Sequence, residues 1–330
     1  ELHLAGVVLN HVNTLRHKVL LTEVLENIEV KMLGCLADNP QLNLTSRHLG
    51  LAPAHEIKNL EERVERWASI AESNLDLKTF KKILKAPKNI ICKANKITTK
   101  SKHFKINPIA VAEDKAFHFR YPETKECLEE LGIPCLNWKP IEDEPIPKEA
   151  KGLIIPGGFP EQYSEQLSTC RRSFKELRNF FGCRPIYAEC GGMLMLGKTL
   201  SDFNGNKYDM AGLLPFHAKK GSLKVGYRNL KSTVDSLILG KNDDLIGHEF
   251  HRWELSIEHS YQNSIENFDS LNKKEVNSLW EVKGWRINNH KEGWGNKIFH
   301  ASWMHLHWPS SPEIMSTWLK ALETISLPKV

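Results

Sequence analysis

The 330-residue chain has no apolar run near the roughly 18 residues that a membrane span needs. Its first residues also lack the basic and long apolar regions of a secretory leader. Neither membrane insertion nor secretion is therefore indicated, and a cytoplasmic location is expected. Cysteine is sparse and odd in number, seven in all, and no two cysteines stand in C-x-x-C spacing. That argues against a disulfide framework and a zinc ribbon, and it fits a reducing compartment. A basic stripe interleaved with aromatics is also missing. The 45 Lys+Arg against 40 Asp+Glu leave only +5, much of it in one lysine-rich stretch, so nucleic acid is not an expected partner. Internal repeats and low-complexity tracts are absent. What is present is 41% hydrophobic and 26% charged residues, the composition of a chain that folds, at a length that suits two domains.

Residues 1 to about 56 alternate strand and helix as a doubly wound sheet does. Leu4–Leu9 reads as a buried strand ending at Asn10. Leu15, Val19, Leu20, Val24, Leu25 and Ile28 then recur at helical spacing, and Val30–Leu36 reads as a second strand. Because the chain starts at Glu1 and enters a strand almost at once, it is expected to begin inside a fold. Between 57 and 105 a charged helix with Leu60, Val64, Trp67 and Ile70 precedes Lys81, Lys82, Lys85, Lys88, Lys93 and Lys96, a run read as a solvated linker. A second α/β unit opens with strand Ile109–Ala112. A helix follows with Pro122 at its first position and Gly132 just past its end. Next come strand Gly152–Ile155, a long amphipathic helix from about Glu161 to Phe181, strand Pro185–Ala188, and a helix from Met193 to Leu200. The remainder, from Met210 to about 310, is rich in strands and tryptophan, and a last helix uses Ile314, Trp318, Leu319, Leu322 and Ile325.

The sharpest local signal is Ala188-Glu-Cys-Gly-Gly192. A cysteine between a buried strand and a helix, followed by two glycines, matches a nucleophile elbow. Such a turn is tight, the side chain stands up from the sheet edge, and the helix N-terminus stabilises a thiolate. A plain packing cysteine suits Cys35 or Cys127 better. A thiol needs a base beside it, and Ala301-Ser-Trp-Met-His-Leu-His-Trp308 supplies His305 and His307, two apart on an expected strand and so on one face. A metal pair completed from Gly247-His-Glu-Phe-His251 is the rival, ranked lower because His248-Glu-Phe-His251 is not the H-E-x-x-H helix; no metal site is expected. Pro156-Gly-Gly-Phe-Pro160 follows a strand at the edge where ligands bind. Gly158 with Gly191 can form an oxyanion hole.

Together these segments resemble the cobyrinate a,c-diamide synthase family, corrin-amidating ligases with a triad-type glutamine amidotransferase domain. The matching stretches are Gly6–Asn10, Arg47–Leu51, Ala110–Asp114 with Ala116–Glu123, Pro156–Glu161, Tyr187–Gly192, Met210–Pro215, Gly226–Arg228, Gly247–His251 and Ser302–Trp308, in order over nearly the whole chain. The resemblance implies a partial doubly wound P-loop-type parallel sheet followed by a class I glutamine amidotransferase-like α/β domain. Residues 1–56 would be the remainder of an ATP-binding amidoligase domain, 57–105 the linker, and 106–330 the amidotransferase domain. It implies Cys190 as nucleophile with His305 as its base, glutamine and cobyrinate as substrates, and ATP with Mg2+ for acyl phosphate formation. It also allows a homodimer. Asn10 corresponds to a position facing adenine. Arg47, His48, Tyr227, Arg228, His248 and His251 are candidates to meet corrin carboxylates, with ordinary salt bridging as competitor.

The chain departs from the pattern in three ways. His307 stands where a third triad acid would follow the histidine, so a Cys-His dyad is expected. Trp303 and Met304 replace the common Tyr and Leu. No G-x-x-x-x-G-K-[ST] loop occurs in residues 1–56, the part read as ATP-binding. The alternatives are cobyric acid synthase, a sister enzyme acting on hydrogenobyrinate or nickel sirohydrochlorin, and a non-catalytic remnant without an ATP site.

Overall fold

The computed structural model of the chain describes residues 4–44, 54–84, 107–257 and 276–324. The chain divides into two compact units, Glu1–Ala94 and Asn95–Val330.

In the first unit, β1 (Val7–Leu9) and β2 (Met32–Cys35) pair in parallel, with α1 (Leu15–Asn27) as the crossover between them. Thr14 caps α1 by accepting from the His17 backbone N–H, as its short hydroxyl side chain allows. The charged segment after 57 forms α2 (Leu60–Asn74) and α3 (Leu77–Ile83) within this unit. The Trp67 indole donates to the Gln41 carbonyl, and the Asp76 backbone N–H donates to the Leu33 carbonyl on β2. Part of the stretch read as a linker is thus packed on the first unit. Arg47, His48 and the lysines from Lys85 to Lys96 lie outside the described residues.

The second unit is organised around one sheet of 11 strands. Its strands are β3 (Ile109–Ala112), β5 (Cys135–Trp138), β6 (Gly152–Ile155), β8 (Ile186–Glu189), β9 (Thr199–Ser201), β10 (Lys207–Asp209), β11 (Phe216–Ser232), β12 (Asp244–Ile257), β13 (Asn277–Lys283), β14 (His290–Asn296) and β15 (Phe299–Ser302). A separate small ladder joins β4 (Phe117–Phe119) to β7 (Gly157–Gly158). The order is β10-β9-β11-β13-β14-β15-β8-β6-β3-β5, with β12 on the free side of β11. The run β15-β8-β6-β3-β5 is parallel throughout. Its short all-apolar strands, such as Ile109-Ala-Val-Ala112 and Gly152-Leu-Ile-Ile155, are buried at every position, as parallel strands covered on both faces must be.

Among the described residues the unit also has helices α4 (Pro122–Glu130), α5 (Ser164–Ser168), α6 (Arg171–Phe180), α7 (Gly191–Leu194) and α8 (Pro312–Thr324). Two buried clusters result. One includes Phe117, Trp138, Leu153, Phe174 and Met193, the other Ile109, Tyr187, Trp280, Trp308 and Trp318. The tryptophan-rich tail is mainly core, although Trp285 is 79% exposed.

Three sequence expectations are corrected. The long helix expected from Glu161 to Phe181 is broken into a 3-10 turn at Pro160–Gln162, then α5 and α6. The break falls at Thr169-Cys170, where the Gln166 carbonyl takes the Thr169 hydroxyl and the Cys170 thiol instead of continuing the ladder alone. The helix expected to reach Leu200 stops at Leu194, and Thr199–Ser201 is a strand. His305 and His307 do not share a strand, because β15 ends at Ser302. Among the described residues, no helix is long and apolar enough to cross a membrane.

Candidate active site

Parallel neighbours bring their carboxyl ends to one edge of a sheet, and β15, β8 and β6 lie side by side. Register pairs Ile155 with Ala188 and Ser302 with Glu189. The residues that follow these strands are therefore neighbours, although the sequence separates them widely: Gly157 and Gly158 after β6, Cys190 after β8, and His305 three residues after β15. Open parallel sheets collect chemistry at this edge.

Cys190 caps α7 with φ 44° and ψ −108°, a conformation non-glycine residues rarely hold. Its backbone N–H donates to the Ser302 carbonyl at 2.7 Å, and its thiol lies 3.9 Å from the Phe250 carbonyl on β12. The residue is 7% exposed. Glycine at 191 is required by close approach, since a Cβ there would stand 2.9 Å from the Gly158 nitrogen and 2.8 Å from Pro160 Cδ. The turn after β6 is thereby pressed against the turn after β8.

His305 completes the group. Its backbone forms a two-bond bridge with His248 of β12, N–H to carbonyl at 2.8 and 3.0 Å. Its ring packs edge-on to Phe119, with centroids 5.0 Å apart, and its Cε1 faces Gly157. Burial alone would drive off the imidazole proton. The charge and hydrogen bond of Cys190, and after them those of Glu189, reverse this and raise the His305 pKa to about 10. His307 points elsewhere: its Nδ1 meets the Ser310 hydroxyl and its ring packs against Tyr121. Of the two histidines, His305 is the one brought to the cysteine.

Sequence reasoning does not single out Glu189, the residue before the cysteine. Its carboxylate meets His305 Nδ1 at 3.1 Å through one oxygen. The other oxygen accepts from the Tyr187 hydroxyl at 2.5 Å and from the Leu306 backbone N–H at 3.2 Å. A signal exists nonetheless. A carboxylate at the last position of a strand buried throughout needs a specific partner to be tolerated. The imidazole thus has an acid, though not the residue two places after the histidine.

The other candidates divide. A cavity of about 630 Å³ is walled by Tyr121, Tyr227, Asn229, His248, His305 and His307 among others. Tyr227, 76% exposed, packs against the His248 ring. Burial, then repulsion from His305 and Arg228, lowers the His248 pKa. Arg228 and His251 face away from this cavity and are buried around Glu249. Arg228 Nε lies 2.7 Å from one carboxylate oxygen and His251 Nε2 lies 2.9 Å from the other. The His251 ring is stacked on Trp303 at 3.7 Å. Asn10 lies exposed just past β1 in the first unit. Among the described residues, no group of three His, Cys, Asp or Glu could hold a metal ion.

The Glu249 cluster supports a prediction. Burial would raise its pKa, but His251 and then Arg228 outweigh burial and hold it at about 2. Its stabilising effect is present above its ordinary 4.5 and fades as pH falls toward about 2. Glu249→Gln strands a buried guanidinium, so urea unfolding at pH 7 should show a loss of roughly 3 kcal/mol. That deficit should shrink in acid.

Residues 108–313 match the model of the CobB/CobQ-like glutamine amidotransferase domain. Over 327 residues the chain is 32% identical to cobyrinate a,c-diamide synthase of a Synechococcus strain, covering 98% of this chain and 68% of that one. This chain belongs to the cobyrinate a,c-diamide synthase family. The enzyme of that name from Caldanaerobacter subterraneus is 32% identical over 311 residues, 93% of this chain and 65% of its own length. Hydrogenobyrinate a,c-diamide synthase of Agrobacterium fabrum is 32% identical over 255 residues, 76% of this chain and 57% of its own. The chain spans about two thirds of the length of the cobyrinate relatives. Family membership accounts for an α/β domain with a large mixed sheet.

Proposed function

We propose that this chain hydrolyses glutamine at Cys190 and that the ammonia serves amidation of the a and c acetate side chains of a cobyrinate-type macrocycle. The observation that carries the reading is the meeting of the elbow thiol with the His305 imidazole at one sheet edge, beside the Gly158 turn.

In this reading the thiolate sulfur attacks the side-chain carbonyl carbon of glutamine and a C–S bond forms. The oxyanion develops toward the backbone N–H groups of Gly158 and Gly191, where preorganised donors act most strongly. His305 gives its proton to the amide nitrogen, the C–N bond breaks, and ammonia leaves. Water then loses a proton to His305 and adds to the thioester, the C–S bond breaks, and glutamate departs with the thiolate and imidazolium restored. The cavity walled by His305, Tyr227 and His248 gives an amino acid room to enter.

In the family reading, acyl phosphate activation of the acceptor would belong to an ATP- and Mg2+-dependent domain formed in part by residues 1–56, with 106–330 supplying ammonia. Residues 1–56 contain no G-x-x-x-x-G-K-[ST] string, and the one the chain carries, Gly192–Thr199, runs from α7 into β9 behind the elbow. The first unit thus carries no such triphosphate-cradling motif, and the chemistry assigned to the residues present ends at ammonia.

The test is a mechanism-based label. Incubation with 6-diazo-5-oxo-L-norleucine should place one adduct on the peptide containing Cys190, with glutamine slowing the labelling. An adduct confined to other residues, or none while glutamine is still hydrolysed, would remove the assignment.

A further inference from the structure

Building on the glutaminase reading above, we propose that Glu189 is the positioning acid for His305, holding its ring by Nδ1 so that Nε2 is presented to the Cys190 sulfur. The acid would come from the strand that leads into the nucleophile, not from the residue two places after the base, which is His307.

Side chains alternate across a strand, so Tyr187 and Glu189 emerge on the same face of β8. On that face the Glu189 carboxylate meets the segment carrying His305 and Leu306, which continues from β15, the parallel neighbour of β8. Both carboxylate oxygens are then engaged: one by the imidazole, the other by the Tyr187 hydroxyl and the Leu306 N–H. Two fixed donors set the plane of the carboxylate, and the carboxylate sets the tilt of the ring. Phe119 and Gly157 close the remaining sides of the imidazole, so the ring has little freedom to turn. With Nδ1 occupied by an acceptor, the proton exchanged with sulfur or leaving group sits on Nε2.

Several charged or titratable groups bear on this imidazole. Cys190 approaches from the elbow and Glu189 from β8. His248 lies across the bridge on β12, with Arg228 and Glu249 behind it. Tyr187 and Tyr121 act indirectly, through Glu189. Among the described residues Glu189 is the carboxylate in contact with the ring, so its replacement should change how long the ring keeps its proton as pH rises.

The test compares Glu189→Gln, Glu189→Asp and Cys190→Ser with the parent chain, each checked for folding by circular dichroism. Glu189→Gln should lower kcat about 100-fold with KM within threefold, and move the fall in activity on the alkaline side down by at least one pH unit. Glu189→Asp should recover part of both effects. A kcat within twofold of the parent, or a loss with the alkaline limb unmoved, would overturn the positioning role while leaving Cys190 in place. Activity retained by Cys190→Ser would instead remove the reading on which it rests. Should Glu189→Gln fail to fold, Tyr187→Phe carries the test: about a fivefold loss with an alkaline limb moved the same way supports the proposal, and an unmoved limb overturns it.

Discussion

Cys190→Ser is expected to lose glutamine hydrolysis by on the order of 10³-fold or more, with its melting temperature close to that of the parent chain. The reason lies in the electrostatics of the pair. Against burial, the leading influence that favours the protonated imidazole is the charge and hydrogen bond of the Cys190 side chain, and a serine hydroxyl does not ionise near neutral pH. With oxygen in place of sulfur, the charge that raises the His305 pKa disappears and the attacking atom keeps its proton. Serine is smaller but otherwise fits the same turn, and the thiol's approach to the Phe250 carbonyl, at 3.9 Å, is too long to contribute much. Stability should therefore change little. Coupled glutamate release, compared at equal folded fraction, checks the expectation. Hydrolysis within tenfold of the parent would mean that the thiol is not the nucleophile.

The second large effect is expected at Gly158. Its φ is +155° and a Cβ would fall 2.0 Å from the Ala116 carbonyl oxygen, which is backbone and cannot swing aside. That carbonyl also accepts from the Phe159 N–H, so relieving the clash breaks this hydrogen bond too and disturbs the β4–β7 ladder. Gly158→Ala should cost about 3 kcal/mol or more, and the protein that still folds should lose about 100-fold in glutamine hydrolysis as the N–H at 158 is displaced. Gly132→Ala provides the control. It also has positive φ, +75°, but a Cβ there meets nothing within 4 Å, so the expected cost is only about 1 kcal/mol with activity unchanged. Equal costs at the two positions would mean that the conformational preference, and not the approach to Ala116, decides. Chemical denaturation read alongside activity separates the two contributions.

Much of the domain can be read from the chain because its parallel strands are short apolar blocks bounded by turn residues. Ile109–Ala112 and Gly152–Ile155 keep the bounds their composition suggests, and Pro122 and Gly132 frame α4 as their backbone preferences require. The elbow is legible for the same reason: a buried strand followed by Cys-Gly-Gly leaves few conformations. The histidine segment is harder. Periodicity suggests a strand through His307, but the chain turns after Ser302, where the serine hydroxyl is taken by Glu292 and the Trp280 indole. That capture depends on partners distant in sequence. Glu189 escapes notice for a related reason. Its meaning depends on the strand that becomes its neighbour, and adjacency in a sheet is not written in local spacing. Arg228 and His251 could equally have served a ligand or each other's shared carboxylate, and only the fold reveals Glu249 between them.

The insertion of β15 next to β8 sets an order of events in synthesis. Glu189 and its imidazole partner are separated by 116 residues, and everything between them is made after the elbow. A growing chain thus carries a sulfur long before it carries the base that would arm it. Until the closing strand is laid down, the sulfur stands at the elbow without its imidazole, and in the glutaminase reading a nascent chain leaves amide nitrogen untouched until that strand is in place.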